Sequence, residues 1–216
     1  RGLDPNVELV DSGVPSLGKV PKHWKVVRVK NLLELKKPDL VGNHAEDYDL
    51  LSLTLQGVIK RDMDNPEGKF PSDFKTYQIV DPGDFVFCLF DVEETPRTIG
   101  RSEFHGMITG AYTLYRPVQD SMAPFLLTLF THYDDHKGFR FAYTGLRNTL
   151  GKDRFGSLKI AIPPLAEQSD IIRRVESSRQ YTSRLISRYR SLVDYLVEYR
   201  SIVIHNAVLG KIQIPA

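Results

Sequence analysis

The spacing of apolar positions in this chain changes character at Pro164. Before it, short runs of β-branched and aromatic residues are broken by Gly, Pro, Asp and Asn. After it, apolar residues return every three or four positions, with no Gly or Pro until beyond residue 205. The partly alternating stretch Trp24-Lys25-Val26-Val27-Arg28-Val29-Lys30 predicts the first strand of a folded body. Further strands are predicted over 50–55, 77–80, 85–90, 111–116 and 158–162, and a short helix over 122–133. Asp81-Pro82-Gly83-Asp84 is a strong turn signal, because proline presets φ and glycine accepts a positive one. Strands interrupted by a few helices, without regular alternation, indicate an α+β domain. Residues 1–20, rich in Gly, Pro, Asp and Ser, read as a linker. The organisation expected is therefore a linker over 1–20, an α+β domain over 21–164, a long helix over 165–205 and a tail over 206–216.

In the helical part, Ile172, Val175, Ile186, Tyr189, Val193, Leu196 and Val203 fall on the a and d positions of a heptad. Leu185, Leu192 and Tyr199 widen this seam, and Arg179, Thr182 and Arg200 interrupt it. A helix of about 40 residues is roughly 60 Å long. A domain of this size cannot cover such a stripe, so the pattern predicts a coiled coil with a second helix. The outward face mixes Arg173, Arg174, Glu176, Arg184, Arg188, Arg190 and Glu198, a solvated or partner-facing pattern. Gly210 ends the helical signal.

Composition narrows the class without naming it. The chain has 216 residues, 41% hydrophobic and 26% charged, the profile of a soluble globular protein with one domain and an appendage. No apolar run reaches the roughly 18 residues of a membrane span, and no signal peptide opens the chain. It starts at Arg1 and not at Met, which reads as an excised or processed piece. The single cysteine, Cys88, lies in the apolar run Phe85-Val86-Phe87-Cys88-Leu89-Phe90 and reads as a buried structural thiol in a reducing, cytoplasmic setting. Net charge is only +2, and residues 1–164 carry 21 Lys and Arg against 22 Asp and Glu. Affinity for a polyanion must then come from a local patch. Between 137 and 154 such a patch is visible: Lys137, Arg140, Arg147, Lys152 and Arg154 against one acid, Asp153.

Three stretches together resemble the specificity subunits of type I restriction–modification systems. Val20-Pro21-Lys22-His23-Trp24-Lys25-Val26-Val27-Arg28-Val29-Lys30 is similar to the entry into their target-recognition domains. Tyr77-Gln78-Ile79-Val80-Asp81-Pro82-Gly83-Asp84-Phe85-Val86-Phe87, continued by Thr95-Pro96-Arg97-Thr98-Ile99-Gly100-Arg101-Ser102, is the second. The third, Phe155-Gly156-Ser157-Leu158-Lys159-Ile160-Ala161-Ile162-Pro163-Pro164-Leu165-Ala166-Glu167-Gln168, resembles the exit into the family's spacer helix. The resemblance implies a non-catalytic reader of one half of a split double-stranded DNA target. It also implies methyltransferase subunits as partners, a restriction subunit through them, and a second copy or repeat packed antiparallel along the helix. Arg1-Gly2-Leu3-Asp4-Pro5-Asn6 and Ala207-Val208-Leu209-Gly210-Lys211-Ile212 look like the segment between repeats and the end of a full subunit. The chain then corresponds to a C-terminal half, or to a naturally single-repeat subunit.

Other chemistry competes with this reading. Pro38-Asp39 followed by Glu67-Gly68-Lys69 has the loose spacing of a PD-(D/E)xK nuclease, but Asn65-Pro66 makes the second part a loop. His132 and His136 stand four residues apart, as metal ligands on a helix face do, without the glutamate of an HExxH site. No methyltransferase cofactor loop or nucleophile context stands out, and no cofactor or metal is expected. DNA contacts are expected instead from loop residues: Gln56, Lys60 and Arg61, then Arg97 and Arg101, then Lys137, Arg140, Arg147, Asn148 and Lys152. Arg and Lys suit phosphate or guanine, and Gln and Asn suit adenine. Tyr112 and Tyr143 suit sugars or bases, although tyrosines more often serve in cores. The other class left open is a coiled-coil scaffold whose head binds protein.

Overall fold

The first strands lie where a linker was expected. In the computed structural model, which describes residues 2–62 and 73–212, β1 (Leu9–Asp11) and β2 (Lys19–Pro21) form an antiparallel hairpin with Val10 opposite Val20. The residues that suggested a linker make its loop. Gly13 and Gly18 take positive φ, and the Asp11 carboxylate accepts from the Gly13 N–H at 2.9 Å. β3 (Lys25–Arg28) is followed by β4 (Leu33–Leu35), β5 (Leu51–Thr54), β6 (Gly57–Lys60), β7 (Gln78–Val80) and β8 (Phe85–Phe87). Then come β9 (Ile99–Arg101), β10 (Gly106–Ile108), β11 (Thr113–Pro117), helix α1 (Ala123–Asp135), helix α2 (Lys152–Ser157), β12 (Lys159–Ile162) and helix α3 (Leu165–Val208). Every predicted strand has a counterpart, each shorter than its apolar run. β1, β2, β4, β6, β9 and β10 were not foreseen.

Among the described residues the largest sheet is four-stranded and antiparallel, in the order β4-β11-β8-β9. β8 is central because Phe85, Val86 and Phe87 are all buried, which requires cover on both faces. The turn into it is the one foreseen: the Asp84 N–H reaches the Asp81 carbonyl at 3.1 Å and Gly83 has φ +94°. Phe87 then meets Phe155 (ring centroids 4.8 Å apart), Phe130 (5.5 Å) and Tyr115 (5.5 Å), an aromatic core drawn from β8, α2, α1 and β11. Burial pushes the Tyr115 phenol up to about 12. A second cluster joins Leu51, Val58, Val80, Val86, Ile108 and Leu114. Cys88 is buried beside these, its Sγ 3.3 Å from the Phe90 carbonyl, and burial raises its pKa.

β3 finds its partner at the far end of the domain. It pairs antiparallel with β12, with Lys159 opposite Arg28 and Ile162 opposite Lys25. α3 starts directly after Pro163-Pro164 and runs for 44 residues, about 66 Å. It ends on Gly210 at φ +70°, where the Lys211 N–H returns to the Asn206 carbonyl at 2.8 Å, so the helix passes the expected limit at 205. The chain divides into one compact unit up to Ile171 and a second from Ile172. Within the second, Ile186, Leu192, Val193 and Leu196 are about half exposed (46–58%). Among the described residues no helix is long and apolar enough to cross a membrane.

Candidate nucleic-acid interface

The loop between Phe139 and Gly151 carries most of the expected contacts. A turn closed by the Thr144–Thr149 backbone pair puts Gly145, Leu146, Arg147 and Asn148 at its tip, with Leu146 fully exposed. The facing loop is acidic. Asp91 binds Arg147 through both carboxylate oxygens (Nε to Oδ1, 2.9 Å), Glu93 binds Arg140 in the same forked way (Nε to Oε2, 3.0 Å), and Glu94 accepts from Asn148 Nδ2 at 3.0 Å. Their hydrogen bonds to Arg147 and Arg140 lower the carboxyl pKa values of Asp91 and Glu93. Both guanidinium groups remain well exposed. Among the described residues, the three non-glycine residues with positive φ are Asp91, Lys137 and Asn148, all in this cluster. Backbone strain of this kind persists where surrounding bonds fix it, and it gathers at binding sites. Here the Asp91 N–H bonds the Arg147 carbonyl at 2.8 Å.

Other expected contacts are turned inward. Arg97 and Lys137 both reach Asp134, whose carboxylate is 2% exposed and also accepts from the Thr98 N–H and hydroxyl. Lys137 Nζ further bonds the carbonyls of Val92 and Thr95. Arg101 donates from Nε to the Gly83 carbonyl at 3.3 Å. On the β5–β6 hairpin, Gln56 lies exposed at the turn, and Lys60 pairs with Asp49 at 2.5 Å and sits over the Phe104 ring. Arg61 follows, its charge acting on the Tyr77 phenol. Tyr112 and Tyr143 are largely packed, and burial raises both, Tyr143 to about 12. Lys152 is exposed at the start of α2.

Of the competing sites, Glu67, Gly68 and Lys69 lie outside the described residues. The rings of His132 and His136 stand 4.4 Å apart at the C-terminal end of α1, where His136 Nδ1 lies 2.9 Å from the His132 carbonyl. Among the described residues no group of three His, Cys, Asp or Glu is placed to hold a metal.

A second set of cations joins Lys152 and Arg154 to Arg28, Lys30 and Lys159, which were not singled out from the sequence. Arg28 and Lys159 face each other across the β3–β12 pair, and the Val29 N–H bonds the Leu158 carbonyl at 2.9 Å. Gly156 of α2 lies against Lys30: a Cβ there would stand 3.4 Å from the Lys30 Cβ. Lys152 is one helical turn from Gly156 on the same face. Arg154 donates to the Phe141 carbonyl at 3.2 Å. The signal that would have revealed this set is the pairing of 24–30 with 158–162.

The fold is that of a type I specificity subunit: an α+β domain followed by one long helix. Solved structures carry the likeness. One, described as the structural basis of complex assembly and conformational transition of the type I R-M system, matches with a TM-score of 0.60 at 15% identity over 94% of this chain and 49% of the other. The HsdS subunit of Thermoanaerobacter tengcongensis matches with a TM-score of 0.51 at 17% identity over 82% of this chain and 41% of that one. In sequence, the chain is 26% identical over 169 residues to a Methanocaldococcus jannaschii protein that carries the provisional name of type I restriction enzyme MjaX specificity subunit. That match takes in 72% of this chain and 39% of the relative. No protein-family model matches. The chain thus spans between about two fifths and a half of the length of these relatives.

Proposed function

We propose that this chain reads one half of a split target in double-stranded DNA, as one domain-plus-helix half of a type I specificity subunit. It carries out no reaction itself. It places methyltransferase subunits, and a restriction subunit through them, on the sequence it recognises. The observation that carries this reading is the order and size of the parts: one α+β domain runs into one 44-residue helix, and together they match between about two fifths and a half of the relatives compared. The exposed apolar stripe of α3 supports a second helix alongside it, from a second repeat or a second copy.

In this reading Gln56, Lys60, Arg61, Arg140, Arg147, Asn148 and Lys152 approach the DNA from loops and loop ends. Arg97, Arg101 and Lys137 are turned inward and brace those loops. Arg140 and Arg147 exchange carboxylates for phosphates or guanine edges. Fluorescence anisotropy with labelled duplex DNA and a methyltransferase subunit present tests the reading. Binding should weaken steeply as salt rises, because each phosphate contact releases counterions. No salt-dependent binding under these conditions would favour a protein-binding scaffold. Methylation maps of cells with and without the gene would then give the target.

A further inference from the structure

We propose that Arg28, Lys30, Lys152 and Lys159 form the surface on which the phosphate backbone of that duplex lies, an inference that rests on the DNA-reading function above. Many of the domain's other cations have a carboxylate partner, while Lys19, Lys25, Lys37, Lys75, Arg101 and Arg154 make no ion pair among the described residues and are not set directly opposite another cation in a strand pair. Lys22 is paired with Glu8, Lys36 and Arg116 with Asp81 and Asp84, Lys60 with Asp49, Arg97 and Lys137 with Asp134, Arg140 with Glu93 and Arg147 with Asp91. Among the described residues Arg28, Lys30, Lys152 and Lys159 make no ion pair. They come from segments more than a hundred positions apart, yet the β3–β12 register and the approach of Gly156 to Lys30 bring them onto one surface. Within the two segments, 28–30 and 152–159, the one carboxylate is Asp153, whose charge acts on the Tyr115 phenol.

Arg28 and Lys159 are directly opposite in the ladder, so their Cβ atoms stand about 5 Å apart, and like charges there destabilise the pair. Two neighbouring exposed cations with no acid between them are a cost to the isolated fold that a bound anion removes. Several flexible cations gathered from two segments suit a polyanion with many closely spaced charges, the phosphate backbone of a duplex, better than a single small anion. Lys25, on the same strand, belongs to the opposite face, because side chains alternate. These four residues position the DNA without reading its sequence; the loop residues 140–148 are left to meet the base edges.

The test is anisotropy of a labelled duplex against the full chain with a methyltransferase subunit, across a salt series, for wild type, R28E with K159E, and K30Q with K152Q. Binding by either double variant should be roughly ten-fold weaker, with the log–log salt slope shallower by about 0.9 for each phosphate no longer neutralised. The loss should be the same on specific and unrelated sequences. The charge-preserving pair R28K with K159R should bind as wild type does. If wild type binds with its salt dependence and both double variants match it in affinity and slope, the inference is overturned and the DNA-reading function stands. Variants that keep DNA affinity but no longer hold the methyltransferase subunit overturn it in favour of an acidic protein face. If wild type shows no salt-dependent binding, the functional reading itself falls, and this inference with it. Should R28E with K159E fail to fold, K30Q with K152Q, both at exposed lysines, decides the matter.

Discussion

Trp24 donates its indole N–H to the carboxylate of Glu167, with Nε1 3.1 Å from Oε2. The same oxygen lies 2.7 Å from His23 Nε2. One residue belongs to the entry of the domain and the other to the first turn of α3, so two of the three stretches that carry the family resemblance meet at one carboxylate. The hydrogen bonds explain why those residue types appear where they do: a half-buried indole needs an acceptor, and the helix start supplies one.

Replacing Glu167 by Ala should therefore lower stability by about 1–2 kcal/mol, the usual cost of leaving partly buried donors unpaired. Glu167→Gln, which still offers an acceptor, should lose less. Urea unfolding of the two variants compares them directly. Equal midpoints for E167A and wild type would show that the interaction adds nothing to stability.

Asp134 should matter more. Its buried carboxylate accepts from Thr98 twice and from Arg97 and Lys137, whose side chains are 14% and 20% exposed. Asp134→Ala leaves both Thr98 donors and the Lys137 ammonium without their carboxylate, while Arg97 keeps Asp135 at 2.8 Å, a change expected to cost about 3 kcal/mol. Asp134→Asn keeps one acceptor, for the Thr98 N–H, while its amide N–H can donate to the Thr98 hydroxyl, and it should fall between. A loss below about 0.5 kcal/mol, the size of an ordinary surface substitution, would contradict this.

The carboxylates of Asp91 and Glu93 occupy the forks of Arg147 and Arg140 that DNA would need. Neutralising them together, D91N with E93Q, should tighten duplex binding roughly three-fold or more near physiological salt, since two cations no longer have to give up partners. Replacing Arg140, Arg147 and Lys152 together by Ala should weaken it, with little change in Tm because all three are exposed. Unchanged affinity in both variants would remove this loop from the interface.

Helix α3 exposes Ile186, Tyr189, Leu192, Val193 and Leu196 and part of Ile172, Val175, Leu185 and Val203. Full burial of each large apolar side chain contributes roughly 1.5–3 kcal/mol, so several together outweigh the entropy lost on association. Sedimentation at micromolar concentration should show a dimer, and Ile186→Asp with Leu196→Asp should return it to monomer. A monomeric wild type whose helix amides resist hydrogen exchange would mean that the stripe is covered without a second copy.

Acid should weaken the fold through Asp81. The hydrogen bond from Lys36 holds its pKa below the ordinary 3.8, with His105 and Arg116 adding to the effect. A depressed carboxyl pKa contributes stability above the unfolded value, and that contribution is lost as pH falls below about 4 towards the folded value. Tm measured against pH should therefore drop less steeply in Asp81→Asn than in wild type over that range. Parallel curves would show that the pair carries no linkage.

What the sequence determined alone is whatever depends on near neighbours. The period of two in 24–30, the Pro-Gly turn at 81–84 and the helical period from Ile172 to Val203 are local patterns, and they became a strand, a turn and a helix. The order of three motifs also carried the family likeness. Tertiary structure decided the rest. The Gly, Pro, Asp and Ser residues of 1–20 read as a linker because nothing local shows that Leu9–Asp11 and Lys19–Pro21 pair with each other. The basic run 137–154 is nearly free of acids along the chain, and folding sets Asp91, Glu93 and Glu94 against it from about fifty residues away. The surface of Arg28, Lys30, Lys152 and Lys159 exists only because β3 pairs with β12. Charge acts through space over a few ångströms, while a sequence orders residues along the chain, so the place where cations stay unpaired is a property of the folded pairing.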